Sequence, residues 1–254
     1  MSSGNRSVLV VGGTRGIGLS TALAFARTGA RCILTHRWGS ADEVHLRNLF
    51  VQQSSSAPDI VEANAGDEHD TLTTLENIKK NHDSIDSLVC CVSFAQVVQD
   101  INDYKKRSFL NSIAYSAWPM VDYTLGVRKV FGQYPRHVIG LSSDGPDRYI
   151  PGYDFVAASK AVLETLARYL AQRLQSEGTQ INIVRAGLVD TESLRATVGV
   201  DRVDALRDEN PYAFTSADEI AEGIVGLCSG AFNALSGQVI RLDHGRSFDP
   251  INFR

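Results

Sequence analysis

The sequence has little that points to a membrane, a secreted scaffold or a nucleic-acid partner. Among its 254 residues no apolar run approaches the length of about 18 that a membrane span requires, and residues 1–6 lack the apolar stretch of a secretion signal. Four cysteines are too few and too scattered for a disulfide framework or a metal cluster. The formal net charge of −4 gives no basic field for a nucleic-acid backbone. We therefore expect a cytoplasmic protein without a metal site, a membrane contact or a nucleic-acid partner.

What the sequence does have is ample apolar surface in a regular alternation of short strand-like and longer helix-like segments. Hydrophobic residues make up 43% of the chain, which is enough for a globular core. The predicted strands are 7–11, 31–35, 59–63, 87–92, 137–141, 180–184 and 238–242. The predicted helices are 19–27, 43–52, 70–81, about 109–127, about 155–174, about 191–207 and 217–228. The alternation predicts one α/β domain over 1–254, a Rossmann-type doubly wound sheet of about seven parallel strands with helices on both faces.

A glycine-rich turn joins the first predicted strand to the first predicted helix, where a doubly wound sheet binds the pyrophosphate of a dinucleotide. Gly12, Gly16 and Gly18 let the backbone turn and approach phosphates closely, and the amides at the helix start favour negative charge. A glycine-rich turn without a ligand is the alternative interpretation. The residues predicted to bind the cofactor here are Gly12, Thr14, Arg15, Gly16, Ile17 and Gly18.

The spacing Gly12-x3-Gly16-x-Gly18 resembles the short-chain dehydrogenase/reductase family, and the resemblance covers the whole chain. Residues 182–191 resemble the family's segment that closes over the nicotinamide, with Ala186 at the usual proline position. Residues 90–93 depart from the family's Asn-Asn-Ala-Gly pattern but keep small side chains. The resemblance implies further cofactor contacts from Asn64, Ala65, Val92, Val189 and Thr191.

The end of the second predicted strand indicates which nicotinamide cofactor is used. An NAD enzyme places an acidic residue there for the ribose 2′-hydroxyl, whereas this chain has Thr35, His36 and Arg37. Arg15 and Arg37 occupy two positions where family members that use NADPH carry basic residues, and a guanidinium binds phosphate in a bidentate manner. Each arginine alone is compatible with an ordinary surface position. Together they predict NADPH in preference to NADH.

The catalytic tyrosine of typical family members is displaced in this chain. That tyrosine lies four residues before a lysine and thirteen after a serine; Lys160 and Ser143 are present, but Val156 holds the tyrosine position. Tyr153 lies one helical turn earlier, a shift of about 4.5 Å along the helix axis. A phenol set back in this way suits conjugate reduction, because charge then develops on an oxygen about 3 to 4 Å from the carbon that accepts hydride.

The Tyr-x6-Lys pattern resembles the enoyl-acyl-carrier-protein reductases within this family, and residues 141–164 resemble their NADPH-using third type. The pair Phe94-Ala95 adds to the likeness. The resemblance implies that Lys160 binds the nicotinamide ribose, Tyr153 stabilises or protonates an enolate, and Ser143 assists the carbonyl. The alternative for Tyr153 is an aromatic anchor of a loop at the sheet edge.

Residues at about 191–214 are predicted to form a helical segment that covers the substrate, with one lid helix over 192–198. Tyr149 is a candidate second phenol. The arginines of the segment are candidates to meet an acidic carrier protein or a CoA phosphate, although solvated arginines are the alternative: Arg195, Arg202 and Arg207. A leucine stripe fits either a partner subunit in a homotetramer or homodimer or a buried face within the chain: Leu163, Leu166, Leu170 and Leu174.

The sequence therefore predicts an NADPH-dependent oxidoreductase with Tyr153, Lys160 and Ser143 as catalytic residues. Its predicted substrates are α,β-unsaturated acyl thioesters of fatty-acid or polyketide-type biosynthesis, held on an acyl carrier protein or CoA. A ketoreductase acting on 3-oxoacyl thioesters or another carbonyl is the first alternative. A non-catalytic nucleotide-binding protein of the same fold is the second, suggested by Val156 and by residues 90–93.

Overall fold

One parallel sheet of seven strands organises the protein, whose computed structural model describes residues 6–94 and 96–246. The strands are β1 (Ser7–Val11), β2 (Arg31–His36), β3 (Asp59–Glu62), β4 (Ser87–Cys90), β5 (His137–Ser142), β6 (Gln180–Ala186) and β7 (Val239–Leu242). They lie in the order β3-β2-β1-β4-β5-β6-β7. The chain therefore reverses direction across the sheet between β1 and β4, the switch point beside which α/β sheets bind ligands.

Helices cover both faces of the sheet. They are α1 (Gly16–Arg27), α2 (Glu43–Gln52), α3 (Glu68–Lys79), α4 (Lys106–Ser116), α5 (Trp118–Phe131), α6 (Asp154–Arg173), α7 (Glu192–Val198), α8 (Val200–Glu209) and α9 (Ala217–Leu227). Phe25 of α1 and Ile224 of α9 belong to the core on one face, and Leu75 of α3, Tyr123 of α5 and Leu163 of α6 to the core on the other. Among the described residues, no helix combines the length and apolar character of a membrane span.

The predicted doubly wound fold is confirmed, and each predicted strand coincides with an observed one. Two predicted helices are divided. The helix predicted over 109–127 breaks at Ala117, directly before the turn that holds Pro119, which has no backbone N–H to continue the helical bonding. The helix predicted over 191–207 is observed as two helices, α7 and α8. Gly199 separates them and has a φ of +98°. Sequence periodicity did not reveal either break, because apolar spacing continues across it.

The leucine stripe of α6 contributes to the core of this chain. Leu163 and Leu174 are buried in the cluster beneath α6, and Leu166 and Leu170 pack against the same cluster. The face within the chain therefore accounts for the stripe. A homotetramer or homodimer stays a prediction.

The carboxyl ends of the parallel strands meet at one edge of the sheet, where the register of the last three strands sets polar side chains in a row. Ser142 of β5 pairs with Arg185 of β6, and Arg185 pairs with Arg241 of β7. The glycine turn after β1 lies at the same edge. Since every crossover starts from this edge, residues distant in sequence converge there.

Candidate active site

The glycine turn is pressed against the carboxyl end of β4. Gly12 has φ of +78°, and a Cβ added to it would lie 2.9 Å from Cγ1 of Val92. A Cβ on Gly18 would lie 2.2 Å from the carbonyl oxygen of Gly12. Thr35 fixes the turn from the β2 side, because its Oγ1 accepts the N–H of Gly12 at 3.1 Å. The predicted turn therefore forms, and its shape requires glycine.

The start of α1 is suited to an anion. Arg15 is its N-cap residue, and within the described part of the chain no side chain caps the helix and no acidic residue stands in its first turn. The first amides and the helix dipole therefore leave positive potential at this end. Thr191 borders the same space, since a Cβ on Gly16 would lie 3.4 Å from its Cγ2. The structure thus brings the glycine turn, Val92 and Thr191 close together, and these residues fit a dinucleotide pyrophosphate.

The other predicted cofactor residues offer mainly backbone and apolar surface. Ala65 and Val189 are buried, and Ile17 packs against the core beside α1. Asn64 accepts the N–H of Gly66 on its Oδ1 at 3.3 Å. Thr14 is half-buried in the glycine turn itself. These positions border the same edge of the sheet but carry no charge. The positively charged side chains near this edge are those of arginines.

Arg37, at the end of β2, is held between two aromatic rings. Its Cζ lies 4.1 Å from the ring centroid of Trp38 and 4.8 Å from that of Tyr115. Stacking of this kind fixes the planar guanidinium while its N–H edges stay available to an anion. Arg15 is less restrained: it lies 3.5 Å from Glu192 of α7, and both side chains are exposed. Sequence analysis found both arginines but missed the ring from α4, which lies 78 positions from Arg37.

Tyr153 lies at the start of α6, three residues before Val156 and seven before Lys160. It is the N-cap residue of α6, and its carbonyl oxygen accepts the first helical hydrogen bond from Ala157 at 2.8 Å. Its phenol lies close to the hydroxyl of Ser143. Burial raises the pKa of Tyr153 above its ordinary value; the nearby hydroxyl of Ser143 partly opposes this rise, and the charge of Asp144 reinforces it. Val156, at the usual tyrosine position, is buried.

Lys160 is buried behind the end of β5. Its Nζ donates a hydrogen bond to the carbonyl oxygen of Leu141 at 2.7 Å. Burial lowers the pKa of Lys160 to about 8, against the opposing influence of two neighbouring thiols and a carboxylate. Leu141 and Ser143 are two residues apart, so Lys160 is bonded to the same short segment that the phenol of Tyr153 lies beside. The three predicted catalytic residues therefore come together at residues 141–143.

A set of ion pairs that sequence analysis missed lies behind this segment. It consists of Glu164, Arg185, Asp147, Arg241 and Asp144, and we call it the Arg185 network. Glu164 accepts two hydrogen bonds from Arg185, Nε to Oε1 at 2.6 Å and Nη2 to Oε2 at 2.7 Å. Both arginines bind Asp147, and Arg241 also donates to Asp144 Oδ1 at 3.1 Å. Arginines at the ends of two strands, with aspartates just after a third, are the signal that would have revealed it.

Two cavities adjoin Tyr153 and the segment before it. One of about 340 Å³ is lined by Tyr153, Ala157 and the segment from Gly145. A second of about 470 Å³ lies between Tyr104 and the same segment. Tyr149, the candidate second phenol, is 85% exposed and lines both cavities. Aromatic and aliphatic side chains in these walls offer surface to an apolar chain.

The arginines of the covering segment are largely paired within it. Arg195 donates from Nε to Asp190 Oδ1 at 2.6 Å, and its Nη2 lies 3.0 Å from Asp204. Arg207 donates to the other oxygen of Asp190 at 2.6 Å. These two arginines therefore hold α7 and α8 onto Asp190, which differs from the expectation that they face an acidic partner. Arg202 is exposed on α8.

The segment after β4 departs from its family pattern without becoming reactive. Burial raises the pKa of Cys91 to about 12, so its thiol stays protonated at neutral pH. The N–H of Phe94 donates to Ser116 Oγ at 2.9 Å, and its ring lies edge-on to Tyr115 at 5.7 Å. Ala95, the second member of the Phe94-Ala95 pair, lies outside the described residues.

Known proteins match this chain over nearly its whole length. A family model described as enoyl-(acyl carrier protein) reductase matches residues 11–247. The enoyl-acyl-carrier-protein reductase (NADH) of Aquifex aeolicus is 22% identical over 248 residues, which cover 95% of this chain and 91% of that protein. The match extends from the glycine turn beyond β7, so it spans every element that builds the site.

Solved structures share the fold. An actinorhodin polyketide ketoreductase variant with NADPH aligns with a TM-score of 0.85 at 17% identity, covering 96% of this chain and 98% of that one. The Bacillus cereus enoyl-acyl-carrier-protein reductase with NADP⁺ and an indole naphthyridinone aligns with a TM-score of 0.84 at 21% identity, covering 99% of this chain and all of that one. At these identities the likeness shows the architecture alone.

Proposed function

This chain belongs to the enoyl-(acyl carrier protein) reductase family of short-chain dehydrogenases/reductases, and from that premise we propose that it reduces α,β-unsaturated acyl thioesters with NADPH. The observation that carries the proposal is the proximity of the Tyr153 phenol to the Ser143 hydroxyl, with Val156 buried at the usual tyrosine position. In conjugate reduction the β-carbon accepts hydride while charge appears on the carbonyl oxygen, about 3 to 4 Å away by ordinary bond lengths. A phenol set back by one helical turn matches that separation.

Tyr153, Ser143 and Lys160 each have a distinct role in this proposal. Because burial raises the pKa of Tyr153, its phenol is protonated at neutral pH and can stabilise or protonate the enolate oxygen. Ser143, close to that phenol, would donate to the thioester carbonyl. Lys160, with a pKa of about 8, is mostly cationic at neutral pH and would hold the nicotinamide ribose. The nicotinamide cofactor, when bound, supplies the hydride.

NADPH as the cofactor is supported by Arg37, whose stacked guanidinium stands ready for a 2′-phosphate. The two solved structures described above hold NADPH and NADP⁺, whereas the Aquifex aeolicus relative is named for NADH. The glycine turn serves either cofactor, because it meets the pyrophosphate that both share. The cofactor contacts proposed around it are Gly12, Thr14, Arg15, Gly16, Ile17, Gly18, Asn64, Ala65, Val92, Val189 and Thr191.

The remaining parts of the proposal concern substrate and setting. Residues 191–214 cover the substrate, with α7 and α8 fastened to Asp190. The acyl group is carried by an acyl carrier protein or CoA in fatty-acid or polyketide-type biosynthesis, and the chain works in the cytoplasm as a homo-oligomeric enzyme. In this proposal residues 1–254 act as one dinucleotide-binding and catalytic domain.

The test is a parallel assay of two thioesters. Oxidation of NADPH is followed by absorbance with a trans-2-enoyl thioester and with a 3-oxoacyl thioester, and NADH replaces NADPH as the cofactor control. We expect turnover with the enoyl substrate and a preference for NADPH. Turnover confined to the oxo substrate would make this a ketoreductase, the function that the Ser143–Tyr153 pair also permits. An absence of turnover with both substrates, with NADPH still bound, would favour the non-catalytic alternative.

Removing the hydroxyl of one tyrosine at a time tests whether Tyr153 takes part in the reaction. Tyr153→Phe removes the phenolic hydroxyl with little change in volume, so we expect kcat to fall about 100-fold or more. Tyr169→Phe removes the same group from the exposed face of α6 and serves as the matched control, with kcat unchanged. Full activity of the Tyr153 variant would contradict its proposed role.

A further inference from the structure

The Arg185 network converges on the segment that carries Ser143. Register places Arg185 and Arg241 side by side on β6 and β7, and both bind Asp147 of that segment. On its far side Arg185 is fixed by Glu164 of α6 through two hydrogen bonds. Helix α6, two strands and the segment are therefore tied together by charge.

Both neighbours of Ser143 in the chain are anchored by this network. Ser142 donates from Oγ to Glu164 Oε1 at 2.6 Å, and Asp144 accepts from Arg241 at 3.1 Å. The amide of Asp147 bonds to the carbonyl oxygen of Asp144 at 3.0 Å, so the two aspartates belong to one tight turn. Ser143 thus stands between two fixed residues, and its hydroxyl has little freedom apart from its own rotamer.

Stability alone gives a weak reason for such a network. Glu164 and Arg185 are each about 5% exposed, and taking paired charges out of water often returns no net stability relative to apolar residues of similar volume. Geometry is a stronger reason, because multiple charge-assisted hydrogen bonds fix side chains in one arrangement.

We propose that Arg185 and Arg241 are positioning residues, which hold Ser142, Asp144 and Asp147 so that the hydroxyl of Ser143 stays beside the phenol of Tyr153. The proposal rests on the proposed function for what this pair of hydroxyls does. The arginines themselves touch neither Ser143 nor Tyr153 in the contacts that define the network.

The network also sets the charge beside Tyr153. Asp144 is the charged side chain that raises the pKa of Tyr153, in addition to burial, and Arg241 neutralises it. The other charged or titratable side chains around the Tyr153 cavity belong to the same segment and to the start of α6: Asp147, Arg148, Tyr149 and Asp154. Loss of Arg241 therefore exposes Tyr153 to an unpaired carboxylate.

The test observes Tyr153 directly by NMR of protein with ¹³C-labelled tyrosine rings. Tyr153→Phe assigns its signal among the eight tyrosines. Arg241→Met removes the charge and keeps the length of the side chain. We expect its Tyr153 signal to move, the pKa of Tyr153 to rise, and kcat to fall about 10- to 100-fold while KM for the enoyl thioester changes less than about twofold.

Further variants separate charge from anchoring. Asp144→Asn combined with Arg241→Met removes both charges, so the pKa of Tyr153 returns toward its wild-type value while kcat stays low. Arg241→Lys keeps the charge and is expected to retain most of the wild-type pKa. Arg47→Met, which removes an ion pair on α2, is the matched control and leaves Tyr153 unchanged.

An Arg241→Met protein whose Tyr153 signal, pKa and kcat equal those of the wild type would overturn the proposal, even if it melts at a lower temperature. If that variant does not fold, Asp144→Asn decides, because it removes the carboxylate that raises the pKa of Tyr153, and an unchanged Tyr153 signal and pKa in this variant has the same meaning. The NMR measurement needs neither substrate nor cofactor. An absence of enoyl reduction would therefore count against the proposed function and leave the positioning result standing.

Discussion

Raising the pH is expected to weaken NADPH binding by discharging Lys160. Burial lowers the pKa of this lysine from its ordinary 10.5 to about 8. Above that pH each further unit reduces its charged fraction about tenfold, which corresponds to about 1.4 kcal/mol. If the ammonium holds the ribose, Kd for NADPH rises by up to tenfold per pH unit. Cys91 and Tyr153 do not titrate just above pH 8, because the pKa of Cys91 is about 12 and that of Tyr153 lies above its ordinary value.

Weaker binding in this range is distinguishable from unfolding. In the unfolded chain Lys160 keeps its proton up to about pH 10.5, whereas in the folded protein it loses the proton near pH 8. The unfolded state therefore binds more protons between these values, and this lysine makes the unfolding free energy rise with pH. Binding and stability thus respond in opposite directions to the titration of the same group.

The assay is fluorescence titration of NADPH between about pH 7 and pH 9.5. Lys160→Met is expected to bind weakly and without the pH slope, and Lys160→Arg, which stays charged, to bind without the slope as well. Lys80→Met removes an exposed lysine of the segment after α3 and keeps the wild-type slope. A constant Kd in the wild type, or the same slope in Lys160→Met, would refute the assignment.

Three further predictions concern the turn, the phosphate and acid stability. Gly12→Ala places a methyl group 2.9 Å from Cγ1 of Val92, at a residue whose φ is +78°, so calorimetry should show NADPH affinity lowered at least about tenfold. Gly29 has a similar φ of +82° but open space around it, so Gly29→Ala is the control that leaves NADPH affinity unchanged. Arg37→Ala is expected to weaken NADPH about 10- to 100-fold and NADH hardly at all, and equal losses in parallel titrations would contradict the phosphate assignment. Burial and a neighbouring arginine lower the pKa of His137 to about 4. Between about pH 4 and pH 6.5 the unfolded chain binds a proton on this histidine, whereas in the folded protein the histidine stays neutral. The unfolding free energy therefore drops by up to about 3 kcal/mol as pH falls from about 6.5 to 4. Denaturant titrations should show this loss in wild type and His45→Gln but not in His137→Gln, and an equal loss in all three would exclude His137 as its source.

Much of the fold follows from local pattern. Buried strands such as β1 and β5 are short continuous apolar runs, and the predicted bounds of β1 and α2 match those observed. The glycine turn is equally local, because Gly12 and Gly18 are required by contacts within a few residues or with the adjacent strand. Helix breaks were harder to predict. At Ala117 the chain turns although the apolar spacing continues, and Pro119 was the available signal.

The sequence by itself determined the architecture and the glycine turn, and it singled out Tyr153, Lys160 and Ser143 as the catalytic candidates, because periodicity and motif spacing are properties of neighbours along the chain. The tertiary structure decided which distant side chains act on them. Strand order and register alone bring Arg185 and Arg241 to one segment, since parallel strands joined by helical crossovers place residues dozens of positions apart at one edge. Burial, which sets the pKa of Lys160, is likewise a property of the packed molecule and is written in no single stretch of sequence.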